Sequence, residues 1–468
     1  MSAWLLGGFG LYLALLAAAG LWRVRPEGGG LTAYFLASRS LSGRRVALTL
    51  VMSWFGASSI LVSADEAWRS GLAAAWLIGV PAVLTLLALL ALARRLRAVP
   101  ALTLPEFLEL RYGRTVRRLA AALVIWYMVL LAASQAAAAG QFLKSALGAS
   151  YVASLAAALA VVMAYSLGGG LRAIVRTHVL QFIVLAGGLL ALLAFLFSRT
   201  SLSEAGEAAS DLGRTGFFNP FSGWKTSLLT TLSFTLAWLV SPIAWQRLQA
   251  ADSDRAARRG ALSAAVILAG LYAAVVLTGI LSVASFPAAD GRFLVSRLIG
   301  SEAPRVLGVI LFVSVLAAIL STLDAAVNTG ALSLAGDFFR RPGQLEENGR
   351  PARGGRLATL VVAAAVGVVS LRFQNVLQML GLSSLVMAQG LFVPAAGVFL
   401  LRRRAPLAGL LGLLCGGGAA LWSFLAEGGL LEVPWPPWPY SLPAGLALSL
   451  AGFLLGLGLE FRASRPAE

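Results

Sequence analysis

Long apolar stretches follow one another along this chain, separated by short clusters of Arg, Gly and Pro. A helix needs about 20 apolar residues to cross hydrocarbon. The pattern predicts thirteen spans, at roughly 3–22, 46–66, 72–93, 117–142, 149–166, 174–198, 226–247, 260–286, 304–335, 356–372, 376–401, 405–425 and 441–460. Pro, Gly and charge gather between them, notably from Arg341-Pro342-Gly343 to Gly354-Gly355 and from Pro434 to Tyr440. The second segment, with Trp435 and Trp438, reads as an interfacial aromatic belt. The expected fold is all-α and polytopic, a single transmembrane domain over 1–468.

Two blocks of five spans, 45–199 and 225–402, would run through the membrane in opposite directions because five is odd. One extra helix (1–25) precedes them and two (403–468) follow. Inverted repeats led by broken helices are a transporter signature, since a break frees backbone groups to bind ions at mid-membrane. Each block's leader has one candidate break: Ser53-Trp54-Phe55-Gly56-Ala57-Ser58-Ser59, and Ser241-Pro242, where proline removes an amide donor. Either alone could be an ordinary kink; the pair favours the repeat.

Composition agrees, with 59% hydrophobic residues, 12% charged and a mean hydropathy of +0.84. One soluble core could not hide that much apolar surface. The net charge of +17 would suggest nucleic acid in a soluble protein, but it first has to be weighed against topology. Segment one lacks basic residues ahead of its apolar run and is followed by Arg23 and Arg25, the wrong polarity for a cleaved leader. With the N-terminus outside, alternation puts 28 of the 37 Lys and Arg residues, and the C-terminus, on the cytoplasmic side. The basic excess is then an orientation signal, and no nucleic-acid partner is expected. The lone Cys415 excludes an intramolecular disulfide.

Ionisable groups inside hydrocarbon cost about 2.5–3.5 kcal/mol or more, so they are the first places to look for function. By these spans only Asp324 is deep, and no deep Arg or Lys advertises an anionic solute. Asp324 shares one half of a helical wheel with Ser314, Ser321, Thr322, Asn328 and Thr329, a stripe dense enough to favour a lined cavity or ion site over a plain helix contact. Ala318, Ser321 and Thr322 stand at i, i+3 and i+4, so a carbonyl and two hydroxyls can converge. Hard neutral oxygens suit an alkali cation, whereas zinc or a redox metal would want imidazole or thiolate. His178 is the one histidine, and no Ser/His/Asp set or second deep carboxylate offers a catalytic site. No catalytic residue and no cofactor are expected. Gly168-Gly169-Gly170 lacks the following Gly-Lys-Ser/Thr of a phosphate loop and reads as a tight turn. His178 lies near the interface by this reading, as a polar anchor or a proton-sensitive gate.

In five stretches the chain resembles the sodium:solute symporter family. They are Tyr34-Phe35-Leu36-Ala37-Ser38-Arg39-Ser40-Leu41, the 53–59 break, Leu102-Thr103-Leu104-Pro105-Glu106-Phe107-Leu108-Glu109-Leu110-Arg111-Tyr112-Gly113, Gly169 to Gln181, and Ala317 to Ala326. The resemblance implies the leucine-transporter fold with an added N-terminal helix. It implies a sodium site formed by the Met52 and Phe55 carbonyls with Ala318, Ser321 and Thr322. It also makes Trp54, Gly56, Ser58, Ser59 and Trp238 candidates for the solute pocket. Thr177-His178 stands where the family usually has Thr-Asp, a residue that in some members helps bind a second sodium. One sodium per cycle is therefore expected, with Asp324 and His178 as coupling or gating residues. The implied function is sodium-driven import of a small organic solute across a cell membrane by alternating access. The alternatives are a proton-coupled carrier of the same fold, a non-transporting sensor or scaffold, and a polytopic enzyme; oligomeric state is left open.

Overall fold

The computed structural model describes residues 2–21, 31–99, 101–285, 294–338, 351–432 and 434–463. Arg23, Arg25, Arg465 and all of the 340–350 connection lie outside them. Among the described residues there are helices and no strand, apart from an isolated bridge between Leu41 and Ala251. In chain order the helices are α1 (Ser2–Leu21), α2 (Leu31–Leu36), α3 (Gly43–Trp54), α4 (Ser63–Ser70), α5 (Gly79–Ala98), α6 (Leu104–Tyr112) and α7 (Arg114–Leu147). There follow α8 (Tyr151–Phe197), α9 (Leu202–Asp211), α10 (Trp224–Leu239), α11 (Pro242–Gln249), α12 (Asp254–Ser285), α13 (Leu294–Arg297) and α14 (Arg305–Leu332). The last are α15 (Pro351–Arg372), α16 (Val376–Leu385), α17 (Phe392–Leu400), α18 (Pro406–Glu427) and α19 (Leu442–Ala463).

Eleven helical stretches among the described residues are long and apolar enough to cross a membrane, against the thirteen spans expected. The difference lies in two of them. Ser58–Ala98 and Tyr151–Phe197 run for 41 and 47 residues, twice what a bilayer needs. Each turns at a positive-φ glycine, Gly71 (φ 64°) and Gly170 (φ 55°). A side chain at Gly170 would run into the Tyr34 backbone, so glycine alone allows both the turn and the close approach. The expected glycine turn at 168–170 is thus a sharp corner inside one continuous helical stretch.

Both expected breaks are present. Helix α3 stops at Trp54; Phe55 (φ −91°, ψ 76°) and Gly56 are non-helical, and a π-turn over Ser58–Val62 leads into α4. Helix α10 stops at Leu239, and α11 restarts at Pro242 with the Ser241 hydroxyl accepting from the Ala244 amide. That hydroxyl satisfies an amide a helix start leaves open, and Pro242 sits in the first turn, where its missing N–H costs nothing.

Helices α7 and α14 form the centre: their spans are 72% and 78% buried, against 22% for α1 and 33% for α19. Leucines and valines such as Leu84, Leu190, Val266 and Leu454 remain exposed on the outer helices, a surface suited to lipid. Small residues bring α3 and α12 together at backbone distance. A Cβ on Gly260 would lie 2.6 Å from Val46 Cγ1, and one on Gly43 3.2 Å from the Ala256 carbonyl.

Candidate functional site

The first break and the middle of α14 meet. The Ser321 hydroxyl lies 2.8 Å from the Met52 carbonyl and 2.9 Å from that of Ala318, and the Thr322 hydroxyl lies 3.3 Å from both. Each hydroxyl has one proton and two carbonyls within reach, so lone pairs remain on all four oxygens. Phe55, the fifth residue expected here, stands at the break itself; the Ser59 amide donates to the Gly56 carbonyl, one residue on from Phe55. All of these groups are buried and uncharged. Moving neutral dipoles into a low-dielectric interior costs far less than moving ions there. Such a cluster can accept one monovalent cation without needing a permanent counter-charge. Among the described residues no set of three His, Cys, Asp or Glu could hold a metal ion.

Gly56 is required by this meeting. A Cβ there would press into Gln135 Oε1 and sit 2.8 Å from Thr322 Oγ1. Gln135, on α7, accepts the Ala57 amide at 2.8 Å and so caps the new helix start with a neutral side chain. It carried no signal in the sequence beyond being a polar residue in an alanine run. The solute-pocket candidates gather around the same break. The Trp54 and Trp238 rings are 5.6 Å apart, which brings the two broken helices face to face. Trp238 stacks on Phe234 at 5.1 Å, and Trp438 lies 5.5 Å from Phe234. Ser59 Oγ is 2.8 Å from the Tyr272 hydroxyl, and Ser58 is buried one residue before it. Trp438 belongs to the segment expected to form an interfacial belt. Its half-buried ring covers Gly381, and its indole N–H donates to Ser233 at 3.2 Å.

His178 is fully buried, which corrects its expected place near the interface. The corner at Gly170 starts the second limb of α8 early enough to carry His178 two turns inward. Its Nδ1 is 3.0 Å from the Thr49 hydroxyl on α3, and its Nε2 is 3.0 Å from Asp324 Oδ1 and 3.2 Å from the Ser321 carbonyl. Nε2 therefore faces two acceptors and carries a proton. The other Asp324 oxygen accepts from the Tyr165 hydroxyl at 2.6 Å. Asp324 is thus fully engaged by protein groups on the far side of the oxygen cluster.

Asp324 is also not alone in depth. Arg247, expected at the edge of a span, has no exposed surface; it donates to Gln246 Oε1 at 2.6 Å and reaches Ser53 Oγ at 3.4 Å. Gln246 in turn donates to the Phe35 carbonyl and Asn328 Oδ1, and accepts from Thr329. The expectation of no deep basic residue fails because α11, short as it is, tucks its last turn behind α3 and α14.

A model of the sodium:solute symporter family matches residues 34–403. The Escherichia coli (strain K12) sodium/pantothenate symporter is 26% identical over 469 residues, covering 95% of this chain and 94% of that protein. The Rattus norvegicus sodium/glucose cotransporter 2 is 32% identical over 224 residues, 46% of this chain and 31% of that protein. The chain therefore matches under a third of the rat protein's length. Among solved structures, a Na+-coupled sialic acid symporter in a substrate-bound outward-open state superposes with a TM-score of 0.80 at 15% identity, over 97% of each chain. That likeness fixes the fold: a leucine-transporter-type inverted-repeat bundle.

Proposed function

We propose that this chain, which belongs to the sodium:solute symporter family, binds one sodium ion between Met52, Phe55, Ala318, Ser321 and Thr322 and uses it to import a small organic solute. The convergence of two carbonyls from α3 and α14 with two α14 hydroxyls carries the reading. Those oxygens come from two helices, so an ion bridging them holds the inner half of the broken helix against α14. Its departure frees α3 to tilt, which is the linkage alternating access requires. Trp54, Gly56, Ser58, Ser59 and Trp238 would line the solute site one step outward from the ion. Asp324 and His178 act by holding the Ser321 turn and Thr49 in register. Relatives named for pantothenate and glucose, and a structural neighbour named for sialic acid, show how widely the solute varies on one frame. Membership supports a multi-pass membrane location and a transport activity in place of catalysis; the N-terminus outside and the C-terminus cytoplasmic follow from the arginine distribution.

The energetics are sufficient. One charge crossing 100 mV releases about 2.3 kcal/mol; at about 1.4 kcal/mol per tenfold that concentrates a neutral solute roughly fortyfold before the sodium gradient adds to it. The test is a thermal-shift screen of purified protein against small metabolites with and without sodium, repeated in Ser321→Ala/Thr322→Ala. A solute that stabilises only with sodium, and a sodium affinity lowered at least about 25-fold in the double variant, are expected from two lost oxygens at about 1–3 kcal/mol each, at about 1.4 kcal/mol per tenfold. Stabilisation indifferent to sodium and to both substitutions would overturn the mechanism.

A further inference from the structure

Outside the ion and solute sites, the strongest unexplained feature is a groove between the arginine-rich ends of α5 and α12. It is a cavity of about 450 Å³ lined by Leu90, Arg94, Asp254, Arg255, Arg258, Arg259 and Leu262. The volume equals that of about fifteen waters, room for a phosphate ester. Asp254 is occupied by Arg97 at 2.7 Å, whereas Arg94, Arg255, Arg258 and Arg259 have no ion-pair partner among the described residues. Arg44 and Arg45 add charge beside it, since Gly43 sits 3.6 Å from Arg259 Cβ by the position of its missing side chain. The groove opens onto an apolar track. Leu262 and Val266 on α12 are 47% and 67% exposed, and Leu84 and Leu87 on α5 are 46% and 44% exposed.

We propose that this groove binds one anionic phospholipid, its phosphate held by Arg94, Arg255, Arg258 and Arg259 and its acyl chains lying along Leu87, Leu262 and Val266. One feature selects a lipid over a free anion: the exposed leucines and valine that continue from the arginine end along α5 and α12 form the apolar surface a chain would cover. Guanidinium groups suit phosphate because they offer paired donors in one plane, and basic pockets between membrane helices at a bilayer face are built for such heads. The consequence reaches the first broken helix, because the same two turns of α12 touch α3 at Gly43 and Val46. A lipid wedged there stiffens the α3–α12 contact. The claim rests on the membrane fold alone and stands whether or not sodium is the coupling ion.

The test is native mass spectrometry of the full chain with phosphatidylglycerol or phosphatidylcholine, paired with melting curves in vesicles of each lipid. The comparison is wild type, Arg258→Gln/Arg259→Gln, and a control at another basic cluster, Arg402→Gln/Arg403→Gln. Phosphatidylglycerol should be retained by wild type and the control, and raise their melting temperature. The groove variant should bind it about 25-fold more weakly, at about 1 kcal/mol per arginine and 1.4 kcal/mol per tenfold. Its melting in phosphatidylcholine reports whether it is folded; if it is not, Arg258→Gln alone carries the comparison, with a proportionately smaller loss. Equal losses in groove and control variants, or displacement of the lipid by millimolar inorganic phosphate, would overturn the proposal.

Discussion

Helix α14 is tied to the first half of the molecule at two polar clusters, and they are built from opposite materials. In its middle, Ser321 and Thr322 meet the Met52 carbonyl through neutral dipoles, with more acceptors than protons. Just beyond its end, at Asp337, the tie is ionic: Arg117 on α7 is 2.9 Å from Glu109, 3.4 Å from Glu106 and 3.7 Å from Asp337, and the Thr103 hydroxyl donates to Asp337 at 2.6 Å. Fifteen residues separate Thr322 from Asp337, about 22 Å along a helix. On the proposed function the neutral junction opens and accepts an ion each cycle, and permanent charge there would either bind too tightly or cost too much when bare. The junction at the end can carry formal charges, because three carboxylates share one guanidinium and Glu106 and Glu109 keep some exposure. Between the two lies Asp324, whose carboxyl oxygens are taken up by Tyr165 and His178.

The largest effect should come from breaking the ionic tie. Arg117→Met strands buried carboxylates and is expected to cost about 3–5 kcal/mol of stability. If the two clusters are separable, sodium affinity in the folded fraction should stay within a few-fold of wild type, read by sodium-dependent thermal shift. A collapse of sodium affinity larger than the stability loss would show that the clusters are one device.

Gly56→Ala sharpens the other side. The added methyl meets Gln135 and Thr322 at the neutral junction, where overpacking costs typically about 1–3 kcal/mol. Its predicted signature is the reverse of Arg117→Met: at least a tenfold loss of sodium affinity with a smaller change in melting temperature without sodium. Wild-type sodium affinity in this variant would mean that the ion does not sit beside Thr322.

How much of this was legible in the sequence follows the same division. The hydroxyl stripe on α14 could be read because serine, threonine and a carboxylate at helical spacing stand out in an apolar run. The first break could be placed within a few residues, and the structure puts it at Phe55-Gly56. Gln135 and Tyr165 could not be read, since a single neutral polar residue in a long apolar helix has no pattern to declare its partner. Arg247 was misplaced for a different reason. Position at the end of an apolar run predicts an interfacial charge only if the run spans the bilayer straight, and α11 is an eight-residue half-helix buried behind two others. The same holds for His178, whose depth is set by a corner at Gly170 whose angle three glycines do not specify. The ionic cluster could not be assembled from the sequence because Glu106 and Glu109 fall between expected spans, Arg117 opens the next one, and nothing in the pattern pairs them with Asp337.

The smallest effect concerns that connection and isolates its chemistry. Burial pushes the Glu106 carboxyl above its ordinary value of 4.5, against the opposing pull of the Leu102 amide and the Arg117 guanidinium. For an acid raised in the folded state, the protonated form is favoured by folding. The stabilisation it gives is complete below 4.5 and is lost as pH rises through the folded-state value. Glu106→Gln, which cannot titrate, should therefore flatten the melting temperature between pH 4 and neutrality relative to wild type, with a slope difference corresponding to less than one proton. It should leave sodium binding at the neutral junction untouched at any pH in that range. A variant whose pH profile parallels wild type would place the titrating charge elsewhere in the cluster. One whose sodium affinity acquired a new pH dependence would mean that the charged end of α14 reaches its uncharged middle.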